Sequence, residues 1–142
     1  KDNLIKNHDK MNPYPGMKQV LKSLSKKHRL FIITSNNSEV VEDFLRSRKM
    51  NYFLGIYGFE SGLSKTRKIM FIKKKYRGFK HYYIGDTTGD IIEGRRAGVE
   101  TIAVTWGWHP TDRILSSKPD HLVHTPIGLL KLFLSYKKIS HQ

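Results

Sequence analysis

Two carboxylates stand four positions apart in the segment Gly85-Asp86-Thr87-Thr88-Gly89-Asp90, directly after the apolar stretch Tyr82-Tyr83-Ile84. A Mg²⁺ ion prefers hard oxygen ligands, and proteins usually hold it with one or two carboxylates plus water and phosphate oxygens. Glycines in such a segment let the backbone bend sharply and approach a ligand closely. The same pattern is also typical of a turn in which Asp90 caps the following helix. Taken alone, the pair therefore leaves a metal site and a capped turn both open.

The elements that must position these carboxylates alternate between strand and helix along the chain. Strands are predicted at 30–34, within 52–59, and at 81–84, 101–105 and 121–123; helices are predicted at 17–27, around 40–45, from Ser64 onward, and near 91–97, 111–115 and 126–134. This alternation is typical of βαβ units with right-handed crossovers. The predicted fold class is therefore α/β, with a three-layer Rossmann-like parallel sheet. Such sheets bind ligands beyond the carboxyl ends of their strands, where Asp86 would lie.

Composition limits the classes of partner and compartment. The chain has 142 residues, with 26 Lys plus Arg against 12 Asp plus Glu and a formal net charge of +14, which favours anionic partners. Its densest basic stretch, residues 65–80, is interleaved with apolar residues as in an amphipathic helix, and no nucleic-acid motif accompanies it, so nucleic acid is not the expected partner. Cysteine is absent, which excludes disulfides and thiolate metal sites. No apolar run is long enough to span a membrane, and we expect a cytoplasmic protein.

Three short signals follow one another along this frame: an apolar strand ending in polar side chains, a lysine at a helix start, and the acidic strand tip. They are Leu30-Phe31-Ile32-Ile33-Thr34-Ser35-Asn36, Leu63-Ser64-Lys65, and Gly85-Asp86 through Asp90. Their order resembles that of the haloacid dehalogenase-like (HAD) superfamily, over most of residues 13–134. Three further motifs look like the phosphoglycolate phosphatase-like branch. They are Tyr14-Pro15-Gly16-Met17, Arg95-Arg96-Ala97-Gly98-Val99 and Val104-Thr105-Trp106-Gly107.

The resemblance implies a Mg²⁺-dependent phosphatase of small phosphorylated metabolites that acts through an aspartyl-phosphate. By position, Thr34 would hydrogen-bond a phosphoryl oxygen, and the backbone amides at Ser35 and Asn36 would help. Donors aimed at the phosphoryl oxygens are what phosphoryl transfer requires. Ser35 or Asn36 could also simply cap the next helix. Lys65 would offset negative charge on phosphate and nucleophile, and we prefer it to Lys68 because it stands at a predicted helix start.

The resemblance also implies that Asp86 binds Mg²⁺ directly, while Asp90 binds the ion or orients its water. Trp106, Trp108 and His109 follow the next strand tip. They could shape substrate specificity, but aromatic packing over the sheet edge is the favoured interpretation. No motif of the superfamily supports His109 as a general base.

The defining motif of the superfamily, Asp-x-Asp at the end of the first and central strand, is absent. Asp2 and Asp9 lie in polar sequence that we predict to be helical. We therefore expect that residues 1–12 are the end of a helical cap or linker and that residues 13–142 are the C-terminal part of the core. The first central strand, with its nucleophile, would belong to a missing N-terminal segment of the same polypeptide, and the chain alone would be inactive. A non-catalytic basic module that binds nucleic acid, a phosphomutase and a dehalogenase remain alternatives.

Overall fold

The computed structural model describes residues 2–7, 14–107 and 110–140, and it contains one sheet of six parallel strands. The strands are Asp2–Asn7 (β1), Arg29–Ile33 (β2), Gly55–Tyr57 (β3), Lys80–Gly85 (β4), Glu100–Val104 (β5) and His121–Val123 (β6). Their order across the sheet is β3-β2-β1-β4-β5-β6. The chain thus winds outward from β1 in one direction and then from β4 in the other.

Helices cover both faces of this sheet. They are Met17–Ser25 (α1), Ser38–Ser47 (α2), Lys65–Lys75 (α3), Thr88–Arg96 (α4), Thr111–Ser116 (α5) and Pro126–Ser140 (α6), with a 3-10 turn at Phe59–Ser61. Buried residues of α1, α2 and α6 share one apolar cluster with the sheet, while α3, α4 and α5 contribute to the clusters that contain the opposite faces of β2, β4 and β5. The predicted α/β class and three-layer arrangement are confirmed.

The prediction for the N-terminal residues is wrong. Asp2–Asn7 is a strand and not the end of a helical cap or linker, and it fills the central position between β2 and β4 that we expected to be missing from this chain. The physical reason is that unpaired backbone groups along two interior strand edges are costly, and any extended segment that pairs with both edges satisfies them. Leu4 and Ile5, both buried, give this short segment one apolar residue for each face. Residues 8–12 lie outside the described part of the chain.

The composition of β1 fits its position poorly. Interior parallel strands are usually continuous apolar runs, as β2 is, but β1 has only two apolar residues among six. Asn3 is fully buried, and its Nδ2 hydrogen-bonds Nδ1 of His81 on β4 at 3.3 Å. The Oδ1 of Asn3 is buried without a hydrogen-bond partner, a penalty of about 1–3 kcal/mol.

Charged side chains link three strands at the opposite end of the sheet from the predicted site. Glu100 of β5 accepts a hydrogen bond from His121 of β6 at 2.8 Å and lies 3.0 Å from Nζ of Lys80 on β4. Burial raises the pKa of Glu100, but hydrogen bonds with these two neighbours outweigh it and hold the pKa below its usual value.

Among the described residues, no helix is both long and apolar enough to cross a membrane.

Candidate functional site

The turn between β4 and α4 is built by a reciprocal cap. Thr87 is the N-cap residue of α4, and its side chain accepts a hydrogen bond from the amide of Asp90 at 3.1 Å. In return, Oδ2 of Asp90 accepts hydrogen bonds from the amides of Thr87 at 3.2 Å and Asp86 at 3.1 Å. This is a capping box, so the capping function considered for Asp90 is present in the structure.

Asp90 is also tied to the central strand. Its Oδ1 accepts a hydrogen bond from Nδ2 of Asn7, the last residue of β1, at 2.8 Å, and a longer one from the Tyr83 hydroxyl at 3.4 Å. The side chain is 2% exposed, and this burial raises the pKa of Asp90, while the positive charge of Lys65 and hydrogen bonds from Asn7 and Thr87 oppose the shift. Because both its oxygens are already occupied by donors, Asp90 is suited to fixing the turn and its neighbours.

Asp86 has a different environment. It is the first residue after β4 and is partly exposed, and none of the hydrogen bonds that build the capping box uses its carboxylate. The backbone of Gly107, after β5, lies close against it: a Cβ atom at Gly107 would lie 2.1 Å from Oδ2 of Asp86. Gly85 is required for a similar reason, because a Cβ there would lie 2.3 Å from Cβ of Asp90. Two glycines therefore make room for the two carboxylates.

At the tip of β2, Thr34 is fully buried, and its backbone takes part in the sheet edge. Its amide donates to the carbonyl of Tyr57 at 3.0 Å, and its Oγ1 accepts a hydrogen bond from the amide of Asn36 at 3.0 Å. Ser35 and Asn36 are exposed. The cap of α2 is Asn37, whose Oδ1 accepts from the amide of Glu39 at 2.8 Å, and not Ser35 or Asn36 as considered from the sequence.

Two lysines of α3 lie near this edge. Lys65 is the first residue of the helix, after the N-cap residue Ser64, and its positive charge acts on Asp90. Lys68, one turn later, is 3% exposed and its Nζ donates to the carbonyl oxygen of Thr34 at 2.8 Å. The structure thus brings Lys68 into direct contact with a predicted phosphate-binding residue, while the charge of Lys65 acts on Asp90 in the acidic turn.

Asn7 is the residue that the sequence interpretation missed. It ends the central strand, between the tips that carry Thr34 and Asp86, because β1 pairs with both β2 and β4. One signal could have found it: Asn7 and Asp9 have the spacing of the Asp-x-Asp motif, with an amide in place of the first carboxylate. Asp9 itself lies outside the described residues.

The donor set at this edge fits a hard cation such as Mg²⁺. Asp86 supplies an accessible carboxylate. The side-chain amide of Asn7 donates to Asp90 through its Nδ2, while its Oδ1 is buried and has no hydrogen-bond partner. Within residues 2–7, 14–107 and 110–140, no three His, Asp or Glu side chains form a ready-made metal cluster. Mg²⁺ does not need one, since one or two carboxylates with water and substrate phosphate oxygens commonly suffice.

The aromatic residue after β5 has a packing function. Trp106 packs against the apolar cluster of α1, α2 and α6, and its ring lies 5.6 Å from that of Tyr14. This agrees with the packing interpretation favoured from the sequence. Trp108 and His109 lie outside the described residues, so the predictions for them stay predictions.

Known proteins resemble this chain in both sequence and structure. The phosphoglycolate phosphatase of Synechococcus elongatus is 29% identical over 124 residues, which are 83% of this chain and 58% of that protein. A haloacid dehalogenase-like hydrolase from Streptococcus pneumoniae superposes with a TM-score of 0.75 at 26% identity, over 84% of this chain and 59% of that one. The chain thus spans less than two thirds of either relative.

A third match concerns a core domain studied by itself. The core domain of a phosphoglycolate phosphatase-type protein from Streptococcus pneumoniae has a TM-score of 0.74 at 22% identity, over 94% of this chain and 95% of that one. At this identity the match concerns the fold alone. The model of the haloacid dehalogenase-like hydrolase family, finally, matches residues 2–104, which is more than half of the sequence. The chain therefore belongs to the haloacid dehalogenase-like hydrolase family.

Proposed function

We propose that the protein containing this chain is a Mg²⁺-dependent phosphatase of small phosphorylated metabolites, with a phosphoglycolate-type substrate and a cytoplasmic location. The observation that carries the proposal is the placement of Asp86. It is a partly exposed carboxylate at the tip of β4, seated against Gly107, while the neighbouring Asp90 is buried and occupied with capping. A partly exposed carboxylate at a strand tip is suited to binding a cation.

The remaining residues of this edge would serve the substrate. Asp86 and the amide oxygen of Asn7 would hold Mg²⁺, which when bound would neutralise charge on the phosphoryl oxygens. Thr34 and the backbone amides of Ser35 and Asn36 would donate hydrogen bonds to those oxygens. The amide of Asn36, which donates to Oγ1 of Thr34, would exchange that partner for phosphate. Lys65 and Lys68 would stabilise the negative charge that accumulates there, the first near the acidic turn and the second beside Thr34.

The reaction itself needs a nucleophile that the described residues do not place at this edge. In the proposed course, a carboxylate oxygen bonds to phosphorus as the ester P–O bond breaks, and the leaving alkoxide takes a proton from a general acid, which regains it from the water of the next step. Water then attacks phosphorus, which regenerates the carboxylate and releases inorganic phosphate. At the tip of the central strand stands Asn7, whose amide is a poor nucleophile. Because the sequence contains no Asp-x-Asp pair, we propose that the attacking carboxylate belongs to polypeptide outside these 142 residues.

The experiment compares the longer reading frame with the 142-residue chain, using 2-phosphoglycolate and p-nitrophenyl phosphate with Mg²⁺ or with EDTA. We expect Mg²⁺-dependent phosphate release by the longer protein and none by the chain alone. Asp86→Ala in the longer protein should abolish nearly all turnover, whereas Asp43→Ala, which removes an exposed carboxylate of α2, should leave it unchanged. Equal turnover by the wild type and Asp86→Ala would contradict the proposed site.

A second candidate, a basic binding module without catalysis, is favoured by two observations. The strand tip has the amide of Asn7 where the reaction needs a carboxylate, and the chain has a formal charge of +14. Binding of RNA or DNA that weakens steeply with salt, together with no phosphate release by the longer protein, would support this candidate instead.

A further inference from the structure

The outward side of α3 carries cations around two apolar side chains. Ile69 and Ile72 of this helix are fully buried against the sheet, so the opposite side of the helix points to solvent. Four residues on that side follow the i, i+3, i+4, i+7 spacing of one helix face, and all of them are exposed. They are here named the outer stripe: Arg67, Met70, Phe71 and Lys74.

The two apolar side chains of the outer stripe are open to solvent. Met70 is 50% exposed and Phe71 is 48% exposed. The ring of Phe71 contacts that of Tyr57 on β3 edge-on, with 5.7 Å between the ring centroids, so Phe71 is held in place without being covered. Single exposed apolar residues are common on protein surfaces, and this pair therefore gains its meaning from the charge around it.

The charge around the pair is positive. Between residues 61 and 85 the sequence contains eight Lys and Arg and no Asp or Glu. Lys68 and Lys73 serve the fold, because each donates to backbone carbonyl oxygens. Arg67 and Lys74 have no carboxylate partner within the part of the chain that the structure describes. The positive charge of the outer stripe is thus not compensated by neighbouring side chains.

We propose that the outer stripe of α3 is a docking surface for an anionic lipid bilayer. Its cations would bind the lipid phosphates, while Met70 and Phe71 enter the boundary between headgroups and acyl chains. A bilayer of this kind is complementary in charge to the stripe and also offers an apolar layer, and each Lys or Arg near it strengthens binding roughly fivefold. Such adsorption needs no membrane-spanning segment. It also needs no substrate or metal, so this inference and the proposed function can fail separately.

Three other occupants fit the outer stripe less well. A second copy of the chain carries the same formal charge of +14, so two stripes would repel each other. Nucleic acid would pair with Arg67 and Lys74, but its phosphate backbone offers Met70 no apolar contact. A protein partner needs a larger apolar centre, since stable interfaces bury about 800 Å² on each side and have few charges at their core.

The first test measures the electrostatic part by cosedimentation with vesicles in about 0.1 M salt. The vesicles are phosphatidylcholine alone or a three-to-one mixture of phosphatidylcholine and phosphatidylglycerol. We expect the 142-residue chain to bind the mixture about tenfold or more tightly, and Lys74→Gln with Lys75→Gln to remove most of this preference. The control pair, Lys22→Gln with Lys26→Gln, removes two exposed cations from α1 on the other face of the sheet and should change binding about twofold or less.

The second test measures insertion, because electrostatic adsorption alone would pass the first. The sequence has no cysteine, so Met70→Cys provides a unique attachment site for a fluorophore whose emission depends on polarity. Its emission should shift to the blue on the mixed vesicles, whereas a label on Val40→Cys, at a position of α2 that is 53% exposed, should not shift. Without a label, Met70→Ser should weaken binding to the mixed vesicles about fivefold or more, and Val40→Ser should not.

Three results would overturn the proposal: equal binding to both kinds of vesicle, equal losses for the two lysine pairs, or an unchanged emission of the labelled Met70→Cys variant. Binding of a single-stranded RNA oligonucleotide that depends on Lys74 and Lys75, without binding to vesicles, would assign the outer stripe to nucleic acid instead. Dimers in light scattering that Met70→Ser abolishes, again without binding to vesicles, would assign it to a second copy of this chain.

Discussion

Replacing Asp90 with alanine should destabilise the fold itself, unlike the same change at Asp86. The Asp90 carboxylate accepts hydrogen bonds from Nδ2 of Asn7 and from the amides of Asp86 and Thr87. These bonds join the start of α4 to the end of the central strand. Alanine would leave all three donors without this acceptor, in a place where Asp90 is only 2% exposed.

The magnitude follows from those three donors. A buried donor that loses its partner costs about 1–3 kcal/mol, and the lower end applies here because water can reach the turn once the carboxylate is gone. The alanine helix propensity returns roughly 0.5 kcal/mol. The expected net loss is therefore about 2–4 kcal/mol, a large part of the roughly 5–15 kcal/mol typical of a domain. Asp86→Ala should change the free energy of unfolding by less than about 1 kcal/mol.

The assay is urea unfolding of the 142-residue chain in EDTA, followed by far-UV circular dichroism, with wild type, Asp90→Ala, Asp90→Asn and Asp86→Ala compared at one pH. Asp90→Asn keeps one acceptor oxygen, so its stability should fall between wild type and Asp90→Ala. A loss below about 1 kcal/mol for Asp90→Ala would refute the structural role that we assign to this carboxylate. An equal loss for Asp86→Ala would refute the division of roles between the two residues.

Two further predictions concern the glycine beside the site and the ionised group at the far end of the sheet. Gly107→Ala should weaken Mg²⁺ binding about tenfold or more in calorimetry, because the new Cβ would lie 2.1 Å from Oδ2 of Asp86. Gly89→Ala is the control and should have little effect, because a Cβ there meets no atom closer than 3.7 Å. Equal Mg²⁺ affinities of the two variants would contradict this prediction. The pKa of Glu100 is lower in the folded chain than its usual 4.5, so its stabilisation is present above that pH and lost as the pH falls through the folded pKa. Between pH 6 and 3, Glu100→Gln, which keeps a hydrogen-bond acceptor for His121, should therefore lose less stability than wild type in thermal unfolding; parallel losses would show that this carboxylate is not responsible.

The sequence predicted that Thr34 and Asp86 lie at the same edge of the sheet, because the strands before them have strong signals. Residues 30–33 and 82–84 are continuous apolar runs, and each ends in a polar residue at a strand tip. Once both runs are parallel strands, Thr34 and Asp86 must lie at the same edge of the sheet. That part of the arrangement needed no information beyond periodicity and the order of the motifs.

The central strand escaped prediction for a physical reason. Leu4 and Ile5 are too few to show a period of either two or 3.6 residues, and the polar residues around them favour a helix tail or a loop. The position of β1 is decided by the unpaired edges of β2 and β4, which are tertiary features that no local pattern contains. Asn7 was missed together with the strand that carries it.

The choice between the two lysines shows a different limit. Lys65 was preferred because it stands at a helix start, and the structure confirms that start. The sequence could not show that Lys68, one turn later, turns inward and reaches the carbonyl of Thr34, because α3 has lysine or arginine on several sides. Which of a helix's cations is buried depends on the helix's rotation against the sheet.

The hydrogen bond between Asn3 and His81 has a consequence for the far end of the same strand. With one apolar residue for each face, β1 could slide by two positions and still bury one apolar side chain on each face, and that slip would move its tip by about 6.6 Å. The Asn3 amide finds its imidazole partner in only one alignment, in which Asn7 meets Asp90. A buried polar pair at the amino end of β1 thus fixes the register of the strand. The same register places Asn7, four residues after Asn3, at the edge of the sheet that carries Asp86.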